Sequence, residues 1–137
     1  MKVKEFREMK IKKLMKDPSH YDRYKIKEEA ELPEISQKIR DNPLQMVVVI
    51  DQEKVKGIVT AWDMADQIAS GKKLEDIKVR DYMNRMTYSI SENDSVDTAI
   101  HTMNAVKLNK IIVEDENGKF VGVIHKSTIR AKMDEVL

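Results

Sequence analysis

The sequence predicts a mixed α/β (α+β) fold made of two tandem β-α-β-β-α units. Three observations point there. The chain repeats itself: Gly57-Ile58-Val59-Thr60-Ala61-Trp62-Asp63 returns as Gly122-Val123-Ile124-His125-Lys126-Ser127-Thr128. Within each copy the apolar residues switch between helical and extended spacing. A hairpin signal follows the apolar strand in both copies. A repeat of this kind marks a unit that does not bury its apolar face alone, so the pair is the folding unit.

Taken in order, Met1 to Met15 reads as a lead-in helix, with Phe6, Met9, Lys13 and Leu14 on a loose common face. Ile26 aligns with Ile90, and Leu32, Ile35 and Ile39 align with Val96, Ala99 and Met103, the first helix of each unit. Asp94 and Ser95 are N-cap candidates for the second of these helices. Asn42-Pro43 stops the first, because the residue before proline is pushed out of the helical region. Met46 to Ile50 and Ile111 to Val113 are short β-branched runs that fit strands buried on both faces. Asn117-Gly118 is the hairpin turn of the second copy, and Asp51-Gln52-Glu53-Lys54, one residue shorter, that of the first. The returning strands begin at Gly57 and Gly122 and lead into helices near Trp62–Ala69 and Lys126–Val136. Polar Gly71–Lys78 reads as a linker. The expected organisation is residues 1–70 for lead-in helix and first unit, 71–78 for the linker and 79–137 for the second unit.

Bulk properties narrow the function classes. The chain has 137 residues, enough for one compact module with a real core. Its 25 basic and 24 acidic residues leave a net charge of +1, which gives no broad electrostatic reason to expect nucleic acid or a membrane as partner. There is no cysteine, hence no disulfide framework and no thiolate metal site. No apolar run approaches the roughly 18 residues of a membrane span. Met1 to Lys13 lacks the apolar stretch of a signal peptide, so the expected location is cytoplasmic. A charged content of 36%, mostly Lys and Glu, leans towards a heat-adapted source. His20, His101 and His125 are far apart, which argues against a metal site, and no nucleophile elbow or phosphate-binding glycine loop is present. The chain is therefore read as non-catalytic.

The chemistry concentrates at Thr60 and Asp63. A hydroxyl at a strand end and a carboxylate in the first turn of the next helix lie about one turn apart, near a helix N-terminus. A carboxylate accepts two hydrogen bonds, which suits the vicinal hydroxyls of ribose. Helix N-terminal amides favour a phosphate, and the threonine hydroxyl donates to a ribose or phosphate oxygen. The same two residues also suit a plain helix cap. In the second copy His125 and Thr128 stand in their places, and no carboxylate remains.

Two such units in register, each with a Gly-apolar-apolar-Thr/Ser-x-x-Asp-like motif after its hairpin, resemble a CBS-domain pair, named after cystathionine β-synthase. The resemblance covers roughly residues 10–135. It implies two units packed about a pseudo-twofold axis and clefts for adenosine-type ligands such as AMP, ADP, ATP or S-adenosylmethionine. It also implies homodimers, with Met64, Ile68, Ile129 and Met133 on the helices that often form the dimer face. By the same resemblance Thr60 and Asp63 contact ribose and phosphate, and the rest of that pocket comes from Met83, Tyr88, Leu108, Asn109 and Lys110. Tyr88 would wall the adenine, Leu108 would cover its face and Lys110 would meet a phosphate; a half-buried strand tyrosine and a solvated lysine are the competing readings. Many nucleotide-binding relatives carry a basic residue where this chain has neutral Gln45-Met46. That departure favours adenosine, AMP or a sulfonium nucleoside over a polyphosphate.

A second, weaker site would use Tyr24, Gln45, His125 and Thr128, with His125 meeting a phosphate when protonated; the alternative is a cleft empty or closed by side chains. The expected function is thus a regulatory sensor of an adenine nucleoside or nucleotide acting on an effector protein outside this chain. A structural dimerisation module with vestigial clefts is the alternative. A nucleic-acid adaptor acting through Lys2, Lys4, Arg7, Lys10, Lys12 and Lys13 is a third.

Overall fold

The computed structural model describes residues 1–137. They form two compact units, Ser19–Thr87 and, from the two ends of the chain, Met1–Pro18 with Tyr88–Leu137.

In the Ser19–Thr87 unit the order is β1 (Lys25–Lys27), α2 (Leu32–Arg40), β2 (Met46–Asp51), β3 (Lys54–Thr60), α3 (Ala61–Ala69) and the short α4 (Val79–Tyr82), α1 belonging to the other unit. The sheet order is β1-β2-β3, parallel then antiparallel, with Ile26 opposite Val49 and Val47 opposite Val59. The two-residue turn puts Gln52 and Glu53 both at positive φ, 51° and 67°, whose twist suits a tight hairpin. Helix α2 ends at Arg40, just before the Asn42-Pro43 stop. Buried Asn42 makes good the chain's polar groups there: its amide donates to the Lys38 carbonyl at 2.7 Å and the Met46 carbonyl at 2.9 Å, and its Oδ1 accepts from Leu44 N–H.

The core of this unit is Ile26, Leu32, Ile35, Ile39, Val47, Val49, Val59 and Met64, completed by Ile77, Val79 and Met83. Those last three come from beyond the expected boundary. Asn84 pairs with Ile58 through two 2.9 Å backbone hydrogen bonds, so the segment after the polar stretch closes onto the edge of β3. Gly57 permits this approach: a Cβ there would lie 2.9 Å from the Asn84 carbonyl oxygen and from Met83 Cγ and Sδ.

In the other unit α1 (Val3–Glu8) precedes β4 (Ser89–Ser91), α5 (Val96–Ala105), β5 (Lys110–Glu114), β6 (Phe120–His125) and α6 (Lys126–Val136). The sheet order is β4-β5-β6, and Ile90 faces Val113 as Ile26 faces Val49, so the repeat is structural. Ser95 caps α5 by accepting from Thr98 N–H. In the hairpin Gly118 adopts φ 77°, and Asp115 Oδ1 accepts from Asn117 and Lys119 N–H. The core is Phe6, Ile11, Ile90, Val96, Ala99, Met103, Ile111, Val113, Ile124 and Ile129.

One expectation is corrected. The lead-in is not one helix over Met1–Met15: α1 stops at Glu8, Met9 and Lys10 are extended, and a 3-10 turn follows at Ile11–Lys13. The reason is a backbone contact. Val96 N–H, at the first position of α5 and without an intrahelical partner, donates to the Met9 carbonyl, while Ile11 N–H donates to Asp94 and Lys12 N–H to Glu92. The extended break satisfies the start of α5, and the Arg7–Asp97 ion pair at 2.9 Å lies beside it. The compact units do not coincide with the repeats. The lead-in packs with the second repeat and residues 71–87 with the first, so each repeat is completed by a segment outside it.

Candidate functional site

Strand β3 delivers Thr60 to the N-cap of α3 in an extended conformation, φ −109° and ψ 170°. Asp63, at the third helical position, then reaches back. Thr60 Oγ1 accepts from Asp63 N–H at 3.3 Å, and Asp63 Oδ2 accepts from Thr60 N–H at 2.8 Å and from the Thr60 hydroxyl at 3.0 Å. This is a reciprocal capping box with aspartate in the acidic role. The Gln45 carbonyl takes the next helix N–H, that of Ala61, at 3.3 Å. The capping reading of the pair is therefore realised, and it uses one carboxylate oxygen. Asp63 Oδ1 takes no hydrogen bond from the protein, and both residues are half-buried.

The cap also fixes the carboxylate against rotation. An acceptor with two lone pairs is thus held at the rim of a helix N-terminus, beside a hydroxyl, with its other oxygen already engaged. Tyr82, which the sequence reading passed over, stands near this carboxylate. Burial, and then the charge of Asp63, push its phenol above the ordinary value, and its hydroxyl lies 3.6 Å from Met64 Sδ. The signal for Tyr82 was Gly57, a strand glycine that marks a close backbone approach.

The remaining expected residues divide between the units. Tyr24, Gln45 and Met83 share the Ser19–Thr87 unit with Thr60 and Asp63; Tyr88, Leu108, Asn109, Lys110, His125 and Thr128 lie in the other. Tyr24 and Met83 are buried, and Gln45 is exposed at φ 52°. Met83 is a core residue of its unit, and β4 begins only at Ser89, so the strand-start segment expected from Met83 to Ile90 is shorter than its sequence suggests. Tyr88 and Leu108 are exposed large apolar side chains, and Asn109 is exposed.

The second motif is built differently. His125 is the N-cap of α6, its Nδ1 accepting from Ser127 N–H at 3.0 Å, and the Asn109 carbonyl accepts from Lys126 N–H at 2.7 Å. Thr128, in the place of Asp63, is exposed and makes no capping box. Lys110 pairs with His125 across the sheet, and burial pulls its ammonium below the ordinary value. Burial, and then the Lys110 charge, lower the His125 imidazole as well. The expected phosphate contact through protonated His125 meets a physical obstacle: protonation at Nδ1 removes the acceptor that caps α6 and sets a cation beside Lys110. No group of three or more His, Asp or Glu side chains is placed to hold a metal ion, and no helix is long and apolar enough to cross a membrane.

Comparison with known proteins settles the family. The CBS domain model matches residues 11–70 and again 79–135, and the chain belongs to that family, with two CBS repeats. A homoserine O-acetyltransferase of Methanococcus vannielii is 29% identical over 91 residues, 66% of this chain and 18% of that protein. The uncharacterized protein YlbB of Bacillus subtilis is 31% identical over 93 residues, 66% of this chain and 62% of its own length. An uncharacterized protein of Methanopyrus kandleri is 27% identical over 93 residues, 66% of this chain and 47% of the relative. The chain spans less than two thirds of the length of each of these relatives.

Among solved structures, a CBS domain-containing protein of unknown function from Bacillus anthracis superposes with TM-score 0.82 at 18% identity, over 99% of this chain and 100% of that one. The CBS domain of a bacterial CNNM/CorC family Mg2+ transporter in complex with ATP does so with TM-score 0.79 at 19% identity, over 98% and 94%. These likenesses are likenesses of fold.

Proposed function

We propose that the chain is a non-catalytic regulatory module that binds an adenine nucleoside or nucleotide at Thr60 and Asp63. One observation carries the reading. Asp63 holds the helix cap with a single oxygen and keeps the other as an acceptor, so capping and ligand binding do not compete. Two ribose hydroxyls donating to Oδ1 would add to the existing cap without breaking it. The ATP complex of a CBS domain of the same fold supports the ligand class. The neutral Gln45-Met46 favours adenosine, AMP or a sulfonium nucleoside over a polyphosphate here. Binding would shift the population of two arrangements of the module, which an effector protein then reads. A vestigial cap inside a structural module is the competing reading, favoured by the completeness of the Thr60–Asp63 box.

Thermal shift separates them. Adenosine, AMP, ADP, ATP, S-adenosylmethionine, methylthioadenosine and the guanine counterparts are compared on the native chain and on Asp63→Asn. Asparagine keeps an oxygen for Thr60 N–H but loses the charge. A ligand at about one hundred times its Kd stabilises by roughly 2.7 kcal/mol, a shift of several degrees. An adenine-specific shift that Asp63→Asn abolishes is expected. No shift with any compound would leave the structural module.

A further inference from the structure

The tip of the β5–β6 hairpin carries the only Asn-Gly step in the chain, Asn117-Gly118. Asparagine is among the thermolabile side chains. Its amide carbon lies within reach of the next backbone nitrogen, and a following glycine has no Cβ to stand in the way. When Gly118 N–H loses its proton, that nitrogen attacks Asn117 Cγ. The Gly118 N–Cγ bond forms, the Cγ–Nδ2 bond breaks, and ammonia leaves with the amide proton. Water then opens the succinimide ring. Opening at Cγ gives aspartate. Opening at the Asn117 main-chain carbonyl gives isoaspartate, whose backbone runs through the side chain and is longer by a methylene carbon. Asn117 is exposed to the water that this needs.

The hairpin withholds the attacking nitrogen. Gly118 N–H donates to the Asp115 carbonyl at 3.0 Å. Asp115 Oδ1 accepts from Asn117 N–H and from Lys119 N–H, both at 2.9 Å, so the chain on either side of the Asn-Gly step is pinned to one carboxylate oxygen. Asp115 N–H in turn donates to the Lys119 carbonyl at 2.8 Å. A hydrogen-bonded amide gives up its proton only when the bond opens. The pinned backbone also resists the rotation about Asn117 that ring closure requires. Charge works in the same direction. Glu114 Oε2 lies 3.8 Å from the point where a Gly118 Cβ would stand, and Asp115 and Glu116 precede the step. Carboxylates so placed disfavour the amide anion.

We infer that Asn117 is a deamidation site of this chain and that Asp115 holds the reaction in check. Four hydrogen bonds of the turn involve Asp115, and its carboxylate accepts two of them. The clamp and the reactive step are therefore a single local device. Isoaspartate at 117 would lengthen the main chain between Asn117 and Gly118, so the Asp115–Gly118 bond and the Glu114–Phe120 pairing could not both persist. The damage would fall at the root of β6, the strand that ends at the His125 cap of α6. The first hairpin turns through Gln52-Glu53 and has no such step. The two repeats thus age differently. The inference is independent of the ligand assigned above.

The test incubates the full chain in mildly alkaline buffer below its melting temperature, beside the free peptide Ile111–Lys119. Mass spectrometry follows the amide as it becomes an acid, and enzymatic methylation counts isoaspartate. The folded chain should deamidate at Asn117 at least about tenfold more slowly than the peptide, as the opening of a charge-assisted hydrogen bond implies. Asp115→Ala should bring the rate close to that of the peptide while the other asparagines stay intact. Asp115→Asn keeps an acceptor without the charge and should fall between the two. Hydrogen exchange at Gly118 should rise in the same order, which ties the rate to the clamp even where a variant is less stable. A folded chain that matches the peptide, an unchanged rate in Asp115→Ala, or earlier loss at another asparagine in that variant would each overturn the inference.

Discussion

Gly57 shows how one absent methyl group decides the shape of a unit. The backbone of Asn84 lies where a Cβ would stand, and that backbone is fixed by two hydrogen bonds to Ile58. Gly57→Ala therefore presses on main chain, which gives less readily than a side-chain tip. We predict a loss of about 1–3 kcal/mol in urea unfolding, with the fastest-exchanging new amide at Asn84. An unchanged midpoint would show that the 79–84 segment moves away at no cost.

His125 supplies a pH signature at the same scale. Its imidazole is lowered in the folded state by burial and by Lys110, so the unfolded chain binds the proton more tightly. Stability from this group is complete above the unfolded value near 6.5 and is lost as pH falls through the folded value. His125→Asn keeps an N-cap acceptor but has no proton to take up. The melting temperature of the native chain should fall more steeply between pH 7 and pH 5 than that of His125→Asn. Parallel curves would remove His125 from the acid response.

Among the elements, those with local causes were legible in the sequence. Apart from the short α4, the order of strands and helices after Lys25 follows the predicted β-α-β-β-α scheme in both repeats, and α6 spans the expected Lys126–Val136. Asn117-Gly118 and Ser95 act as turn and cap because each works within a few residues of itself. The break after α1 was not legible, because its cause is distant: Phe6, Met9 and Leu14 have a helical rhythm, yet the carbonyl of Met9 is claimed by Val96. At the candidate site the Thr60–Asp63 pair was visible from spacing, while Tyr82 was hidden by a sequence boundary that the chain does not respect. The N-terminal strap makes a prediction at this scale. Ile11 is fully buried against the second repeat, so Ile11→Ala should cost about 2–5 kcal/mol. Hydrogen exchange should then rise at Val96 and along α5 before it rises in α2 or α3. A uniform rise would mean that the strap is not a local element of that unit.

At the scale of the molecule, the repeat and the unit are different things. Each repeat supplies a sheet and two helices, but the core of the first closes with Ile77, Val79 and Met83, and that of the second with Phe6 and Ile11. Burying a side chain of this size contributes about 1.5–3 kcal/mol. Removing the first three thus takes away roughly 5–9 kcal/mol, which is most of the stability of a small domain. A fragment of residues 1–70, cut where the polar stretch begins, lacks those three and leaves Phe6 and Ile11 with no core to enter. It should show no cooperative thermal transition by circular dichroism, whereas residues 19–87 should melt cooperatively. The comparison is stringent because the two fragments are of almost equal length and share every element from β1 through α3. Cooperative melting of 1–70 would mean that a single repeat suffices and that the exchanged segments merely decorate it. Failure of both fragments would mean that even the completed unit needs its partner, so that the pair alone is the folding unit.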